Sequence, residues 1–125
     1  MKLFILSVLS IIFLASCSSA PIQNFEDVSV DSSISTQKIE KAIKIAANKL
    51  GWTVKSMANQ NFRLNLNLRT HNLTVDVPYK KGSYSIIYVE SQGLNYDKSK
   101  NSIHKGAIRW MRNLRKAIDH SLLAQ

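Results

Sequence analysis

Residues 62 to 69 read Phe62-Arg63-Leu64-Asn65-Leu66-Asn67-Leu68-Arg69, and this stretch decides the fold. Apolar and polar side chains alternate along it without a break, so the apolar set points to one side of a strand and the polar set to the other. Such a strand is buried on one face and solvated on the other. The stretch therefore predicts a sheet whose single apolar face must be covered by other elements.

Three further strands are predicted around this one, at 52–55, 73–79 and 83–91. The connections between strands are short and polar, and 70–72 and 80–82 are the clearest turns. Strands joined by such short turns are antiparallel neighbours, so the four strands are expected to form a meander. Pro78 has no N–H to donate and predicts a sheet margin or a bulge at its position.

Helices are predicted on both sides of the meander. Residues 36–50 and 102–123 carry apolar side chains at spacings of three and four, which gives each segment one apolar stripe. Gly51 follows the first segment, where a glycine commonly ends a helix. These elements predict a single α+β domain over 36–125. We expect a two-layer sandwich in the order helix, four-stranded antiparallel meander, helix, with both helices on one sheet face.

A lipoprotein signal is predicted at the N-terminus. Lys2 supplies a positive charge, residues 3–15 are mostly apolar, and small residues precede Cys17. This apolar run is too short to span a bilayer as a helix, which takes about 20 residues. The pattern is typical of a lipobox, in which cleavage between Ser16 and Cys17 removes the signal peptide, 1–16, and a lipid on the Cys17 thiol anchors the chain. The alternatives are an ordinary signal peptide or a buried hydrophobic helix, in either case with an incidental cysteine.

Residues 17–35 are predicted to be the lipidated cysteine and a flexible tether. Beyond Cys17 the segment is rich in serine, has no helical period and carries three acids without a base. A flexible chain of this length reaches roughly 20–25 Å. Its apolar side chains leave an alternative, in which the later half lies against the domain or adds a short edge strand. The side chains concerned are Phe25, Val28, Val30 and Ile34.

The domain at 36–125 is strongly basic, with sixteen Lys and Arg against five acids, a net charge of +11. A domain this basic attracts anionic surfaces. For an exported chain these are phospholipid headgroups, lipopolysaccharide or an acidic protein face, and the signal argues against nucleic acid. The expected partners are therefore the membrane, through the lipid anchor, and an anionic envelope component or envelope protein.

The last helix carries the stronger candidate site. Four bases repeat at spacings of four, three and four residues, which aligns them on one helix face: Lys105, Arg109, Arg112 and Lys116. They are predicted to lie along an anionic surface, and the alternative is an ordinary solvated face. Arg63 and Arg69 mark a second candidate on the uncovered sheet face. A partner or a glycan could bind there, although such a face is more often only solvated.

His104, Asp97 and Tyr96 form a weak catalytic candidate. A neutral histidine in the first turn of the last helix, with a carboxylate nearby, could act as a general base. The alternative is structural: Asp97 organises its loop, Tyr96 packs under it and His104 bonds a backbone carbonyl. The chain has no G-x-S-x-G stretch, no glycine-rich phosphate loop and no zinc-ligand spacing, so neither a metal nor a cofactor is predicted.

Several stretches between residues 37 and 120 resemble a group of small, mostly uncharacterised bacterial lipoproteins: Leu50-Gly51-Trp52, Leu64 to His71, Val77-Pro78-Tyr79, Tyr84-Ser85-Ile86, Leu94-Asn95-Tyr96-Asp97, and Ile103-His104 leading to Trp110 and Leu114. Gly106 and Ala107 depart from that pattern, which has bulkier residues such as tyrosine there. The resemblance implies a fold and a localisation, and it brings no activity or substrate. Because Ser18 rather than an aspartate follows the cysteine, it implies the outer membrane, with the domain facing the periplasm.

These features together predict a non-enzymatic, lipid-anchored cell-envelope protein that uses its basic domain for binding or for a role in assembly. The alternative is a small envelope hydrolase or transferase that uses His104. Both hypotheses share the signal and the fold, and they differ in the side chains that carry the function.

Overall fold

The computed structural model describes residues 18–124. The predicted signal peptide, 1–16, and the predicted lipidation site, Cys17, lie outside the described residues. Within them the elements follow in the order β1 Ser19–Pro21, β2 Phe25–Ser29, α1 Thr36–Lys49, β3 Thr53–Met57, β4 Asn61–Leu68, β5 His71–Lys80, β6 Ser83–Gln92, β7 Ser102–His104 and α2 Lys105–Leu123.

The strands form two antiparallel sheets. The larger has five strands in the order β2-β6-β5-β4-β3, and the smaller pairs β1 with β7. Strands β3 to β6 are the predicted meander, and α1 and α2 pack against each other and onto the apolar face of the large sheet. The predicted α+β sandwich is confirmed.

Strand β4 is oriented as its alternation predicts. It pairs with β3 on one side and β5 on the other, which sets Leu64 opposite both Val54 and Val75. Leu64 is fully buried on the helix side of the sheet. On the other side, Arg63 donates two hydrogen bonds to the carboxylate of Asp76, at 2.9 and 3.0 Å. The period-two pattern thus separates the core face from a polar face.

Pro78 does not lie at a sheet margin, and that prediction is wrong. The residue belongs to β5, which has a neighbouring strand on each side. The paired residues of β5 and β6 leave out Val77 and Pro78, and pairing resumes where Tyr79 faces Tyr84. A proline fits in this central strand because its position is not paired with β6, so the missing N–H removes no hydrogen bond from that ladder.

The flexible tether predicted for 17–35 is wrong for the part that the structure describes. Residues 19–21 form β1 against β7, and residues 25–29 form β2 on the edge of β6. The alternative of an edge strand in the later half is confirmed. Burial of apolar surface explains the difference, because several side chains of the segment pack against the core. They are Ala20, Ile22, Phe25, Val28 and Ile34.

The two edge strands of the large sheet are short. Strand β2 contains a bulge between Phe25 and Val28, where Asp27 has a φ of 50° and its N–H donates to the hydroxyl of Ser85 at 2.9 Å. Strand β3 has five residues and exposes Lys55 at its centre. Neither edge presents a long regular row of free backbone groups.

Helix α2 begins at Lys105, three residues after the predicted start. Residues 102–104 pair with β1 as strand β7 instead. His104 is therefore the N-cap of α2 and not a first-turn residue, and its Nδ1 accepts a hydrogen bond from the N–H of Gly106 at 2.9 Å. Helix α1 begins as predicted, with the hydroxyl of Ser35 accepting from the N–H of Lys38 at 3.2 Å.

Two tyrosines tie the large sheet to the helices. Tyr79 donates to the carboxylate of Glu40 in α1 at 2.7 Å, and Tyr84 donates to that of Asp119 in α2 at 2.5 Å. Burial, reinforced by the bond to Glu40, raises the pKa of Tyr79 to about 12. Burial and the bond to Asp119 raise the pKa of Tyr84 further still. These hydroxyls therefore remain protonated at neutral pH and hold one helix each.

Candidate functional site

Helix α2 presents a row of cationic side chains to solvent. Its members, which we call the basic stripe, are exposed as predicted: Lys105, Arg109, Arg112 and Lys116. The stripe runs about 16 Å along the helix axis. Within residues 18–124 the ion pairs join Arg63 to Asp76 and Arg115 to Asp119, and neither pair involves the stripe. The four charges of the stripe therefore face solvent without an ion-pair partner among the described residues.

The helix side of the sandwich holds most of the positive charge. Helices α1 and α2 together contain nine Lys and Arg against two acids, a net +7, whereas residues 18–35 carry −3. The two acids are Glu40 and Asp119, and both accept a hydrogen bond from a tyrosine of the sheet. This helical layer is therefore the face of the molecule that attracts an anionic surface most strongly.

Strand β1 fixes the start of the described chain to the start of α2. Ser19 pairs with His104 and Ala20 with Ile103. The carbonyl oxygen of Ser18 accepts a hydrogen bond from the N–H of Lys105 at 2.8 Å. Ile103 is buried and is part of the core. The first described residue is thus held beside the first residue of the basic stripe.

A groove of about 470 Å³ lies between β1 and the first two turns of α2. Three bases of the stripe contribute to its wall, and Ala20 and Ile108 contribute apolar surface. Its lining consists of Ser18, Ala20, His104, Lys105, Gly106, Ile108, Arg109 and Arg112. Sequence reasoning missed this groove because a three-residue strand such as β1 has too few positions for a periodic signal.

His104 and Asp97 are not joined by a hydrogen bond in the described structure. Oδ1 of Asp97 instead accepts from the hydroxyl and N–H of Ser99 and from the N–H of Lys100, at 2.6, 3.0 and 3.3 Å. The Ser99 hydroxyl is the main cause that lowers the pKa of Asp97 below its usual value. The structural alternative for Asp97, that it organises its own loop, is confirmed.

The expectations for His104 and Tyr96 need correction. His104 was expected to bond a backbone carbonyl, yet its ring accepts from a backbone N–H, because the residue caps α2. Its Nδ1 therefore carries no proton in this arrangement. Tyr96 does not pack beneath its loop; it is partly exposed, and its ring lies 5.0 Å from that of Tyr88. The geometry gives His104 a structural role and supplies no hydrogen-bonded carboxylate.

Replacing the cap tests that role. We expect His104→Ala to lower the free energy of unfolding by about 1 kcal/mol, because the N–H of Gly106 loses its acceptor. His104→Asn should recover most of the loss, since asparagine is among the best N-cap residues. Urea denaturation followed by circular dichroism measures both. Equal stability of the alanine variant and the wild type would show that the cap contributes nothing.

The sheet-face candidate is not brought together by the fold. Arg63 is bound to Asp76 within the sheet, whereas Arg69 lies in the turn after β4 with a φ of 51°. The neighbouring polar groups also satisfy one another, because Asn65 donates to both Asn72 and Thr74, at 2.9 and 2.8 Å. This face has few free groups with which to recognise a ligand.

Comparison of the chain with profiles of protein families, with curated proteins and with solved structures found no match. The resemblance to small lipoproteins therefore stays a prediction from the sequence. No helix within residues 18–124 is long and apolar enough to cross a membrane. The same residues contain no group of three or more His, Cys, Asp or Glu arranged to hold a metal ion.

Proposed function

We propose that this chain is a lipid-anchored protein of the cell envelope whose domain binds an anionic membrane surface through the first turns of α2, without catalysing a reaction. One observation carries the proposal: the hydrogen bond from Lys105 to Ser18 sets the basic stripe beside the point where the chain continues to Cys17. Charge and anchor would then act at the same place. The membrane is the outer one, facing the periplasm, as the serine after Cys17 implies.

The absence of a long tether supports contact with the lipid surface. Cys17 directly precedes Ser18 in the sequence, and Ser18 is bonded to Lys105. A lipid on Cys17 would hold Lys105 and Arg109 close to the headgroups. Electrostatic attraction is effective at such short distances, because salt at physiological ionic strength screens charges largely beyond about 8 Å. Each base near an anionic membrane contributes about 1 kcal/mol.

Charge reversal on the stripe tests this proposal. We expect Arg109→Glu with Arg112→Glu to weaken binding to vesicles that contain anionic phospholipid by at least about 2 kcal/mol, or roughly thirty-fold. A chain that begins at Ser18 contains every element described and removes the affinity of the lipid itself. Co-sedimentation over a salt titration measures the effect, and circular dichroism checks the fold.

The matched control reverses Lys80, the last residue of β5, and Lys81 in the turn that follows it. This variant makes the same change in net charge, at the far end of a ten-residue strand about 30 Å long. Its binding should stay near that of the wild type. An equal loss in both variants would mean that only net charge matters. No loss in the α2 variant at any salt concentration would rule the proposed surface out.

A further inference from the structure

Partly exposed apolar side chains collect where three elements end or begin. Leu50 follows α1 and is 37% exposed, Leu68 ends β4 and is 43% exposed, and Trp110 in α2 is half-buried. We call these three residues the apolar patch. They line a small groove of about 170 Å³ together with Trp52, Leu66 and Asn113. The ring of His71 meets that of Trp110 edge-on, with centroids 6.4 Å apart.

The apolar patch and Ser18 lie at the same end of the sandwich. Trp110 follows Lys105 by five residues, about 7.5 Å along the helix axis, and Lys105 is bonded to Ser18. The turn between β4 and β5, which follows Leu68, is also linked to the start of α2. A Cβ placed on Gly93 would lie 2.1 Å from the carbonyl oxygen of Thr70, so the two backbones touch. The next residue, Leu94, accepts a hydrogen bond from the N–H of His104.

Each element that contributes to the patch also carries a base next in sequence to the patch residue. Lys49 precedes Leu50, Arg69 follows Leu68 and Arg109 precedes Trp110. All three bases are exposed. A tryptophan and leucines on elements that also carry exposed Lys and Arg match the boundary between lipid headgroups and acyl chains. Aromatic rings sit at headgroup level there, while long basic side chains reach the phosphates.

Helix α2 lies between the apolar patch and the groove beside β1, which is lined by bases of the stripe. Trp110 and Asn113 line the groove on the α1 side, whereas Arg109 and Arg112 line the groove on the β1 side. The first turns of the helix therefore form a ridge with apolar surface on one flank and cationic side chains on the other. A membrane that contacts this ridge meets both kinds of surface together.

We infer that the apolar patch inserts into the headgroup region of the bilayer to which Cys17 anchors the chain. The inference rests on the proposed function and adds a depth and an orientation to it. Leu50, Leu68 and Trp110 enter the interface, and the turn between β5 and β6 points away from the membrane. The bilayer is the occupant that fits, because the chain continues from Ser18 to Cys17 at the same end of the sandwich as the patch, and the exposed bases of this end complement anionic headgroups.

Tryptophan fluorescence of the full processed, lipidated protein in phosphatidylcholine–phosphatidylglycerol vesicles tests the inference. The chain has two tryptophans, and Trp52 is only 3% exposed. Phospholipids brominated on their acyl chains near the headgroup should quench the wild type and leave Trp110→Phe almost unquenched. The difference between the two proteins isolates Trp110. A second variant, Trp52→Phe, should retain the quenching and keeps the test valid if either substitution disturbs the fold.

The outcomes separate this inference from the proposed function. If Trp110 is quenched by acrylamide in the water and not by brominated lipid, the patch does not insert, even where charge reversal on the stripe still weakens binding. If Trp110 is shielded from both quenchers and crosslinking yields dimers, a second copy covers the patch and the inference is wrong. Quenching of Trp110 by brominated lipid, together with vesicle binding that charge reversal on the stripe leaves unchanged, would support insertion while the charge proposal fails.

Discussion

Gly93→Ala should lower the free energy of unfolding by roughly 3 kcal/mol, the largest effect we expect from any single methyl group in this chain. Gly93 has a φ of 71°, in a region that side chains with a Cβ rarely adopt. The added Cβ would also lie 2.1 Å from the backbone oxygen of Thr70, which must then move. For a domain of this size the melting temperature should fall by more than about 10 °C.

Gly82→Ala is the matched control. Gly82 has a similar φ of 93°, and a Cβ there meets nothing within 4 Å. Its cost should be the backbone strain alone, about 1 kcal/mol. The difference between the two variants, measured by thermal melting, gives the contribution of the contact between Gly93 and Thr70. Similar melting temperatures would mean that the turn between β4 and β5 moves aside freely, and this end of the sandwich would be less rigid than its contacts indicate.

Alkaline pH should destabilise the fold steeply, and Tyr79 and Tyr84 are the reason. Their pKa values are raised in the folded protein, whereas tyrosine in an unfolded chain titrates near 10. The folded state therefore binds the protons more tightly. The protonated hydroxyls contribute fully to the free energy of unfolding below about pH 10. This contribution is lost as the pH rises through the pKa of the folded state, which for Tyr79 is about 12. Each tyrosine adds up to about 1.4 kcal/mol per pH unit to this loss.

Tyr84→Phe separates the contribution of one hydroxyl. At neutral pH the variant should be less stable by about 1 kcal/mol, because Asp119 loses a hydrogen bond. Above pH 10 its stability should fall less steeply than that of the wild type, so the two curves converge. Tyr79→Phe should show the same two effects, because it removes the hydrogen bond that Tyr79 donates to Glu40. Urea denaturation from pH 7 to 11 measures the slopes, and parallel curves for variant and wild type would contradict the assignment.

The fold was largely predictable because its signals are periodic. The alternation in β4 and the stripes of α1 and α2 each extend over enough residues to show which side is buried, and the meander follows from short turns. Strand β1 was not predictable, since its three residues pair with β7 across more than eighty positions of sequence. The start of α2 could not be predicted either, because residues 102–104 form a strand only through their pairing with β1. Residues 102–104 have no local pattern that distinguishes a strand from a first helical turn.

The candidate site was predicted in part. The spacing of Lys105, Arg109, Arg112 and Lys116 was enough to predict an exposed row on α2. The groove beside it and the apolar patch depend on how distant segments come together, as where Trp110 and Leu68 line one groove. Trp110 follows the apolar spacing of residues 102–123, yet the structure leaves it half-buried, in one groove with Leu50. A residue on the border of a helical stripe cannot be assigned by period alone.

Under the proposed lipid anchor, copies of the chain would share a membrane, and the short edges of the large sheet would then matter. Anchored molecules diffuse in a plane at high local concentration, where two sheets meet side by side more often than in free solution. Continuous pairing between copies would need a straight run of open backbone groups. The bulge at Asp27 bends one edge away from such pairing, and Lys55 places a charge at the middle of the other. Under the proposed anchoring, these two edges would disfavour strand-to-strand polymers between neighbouring copies.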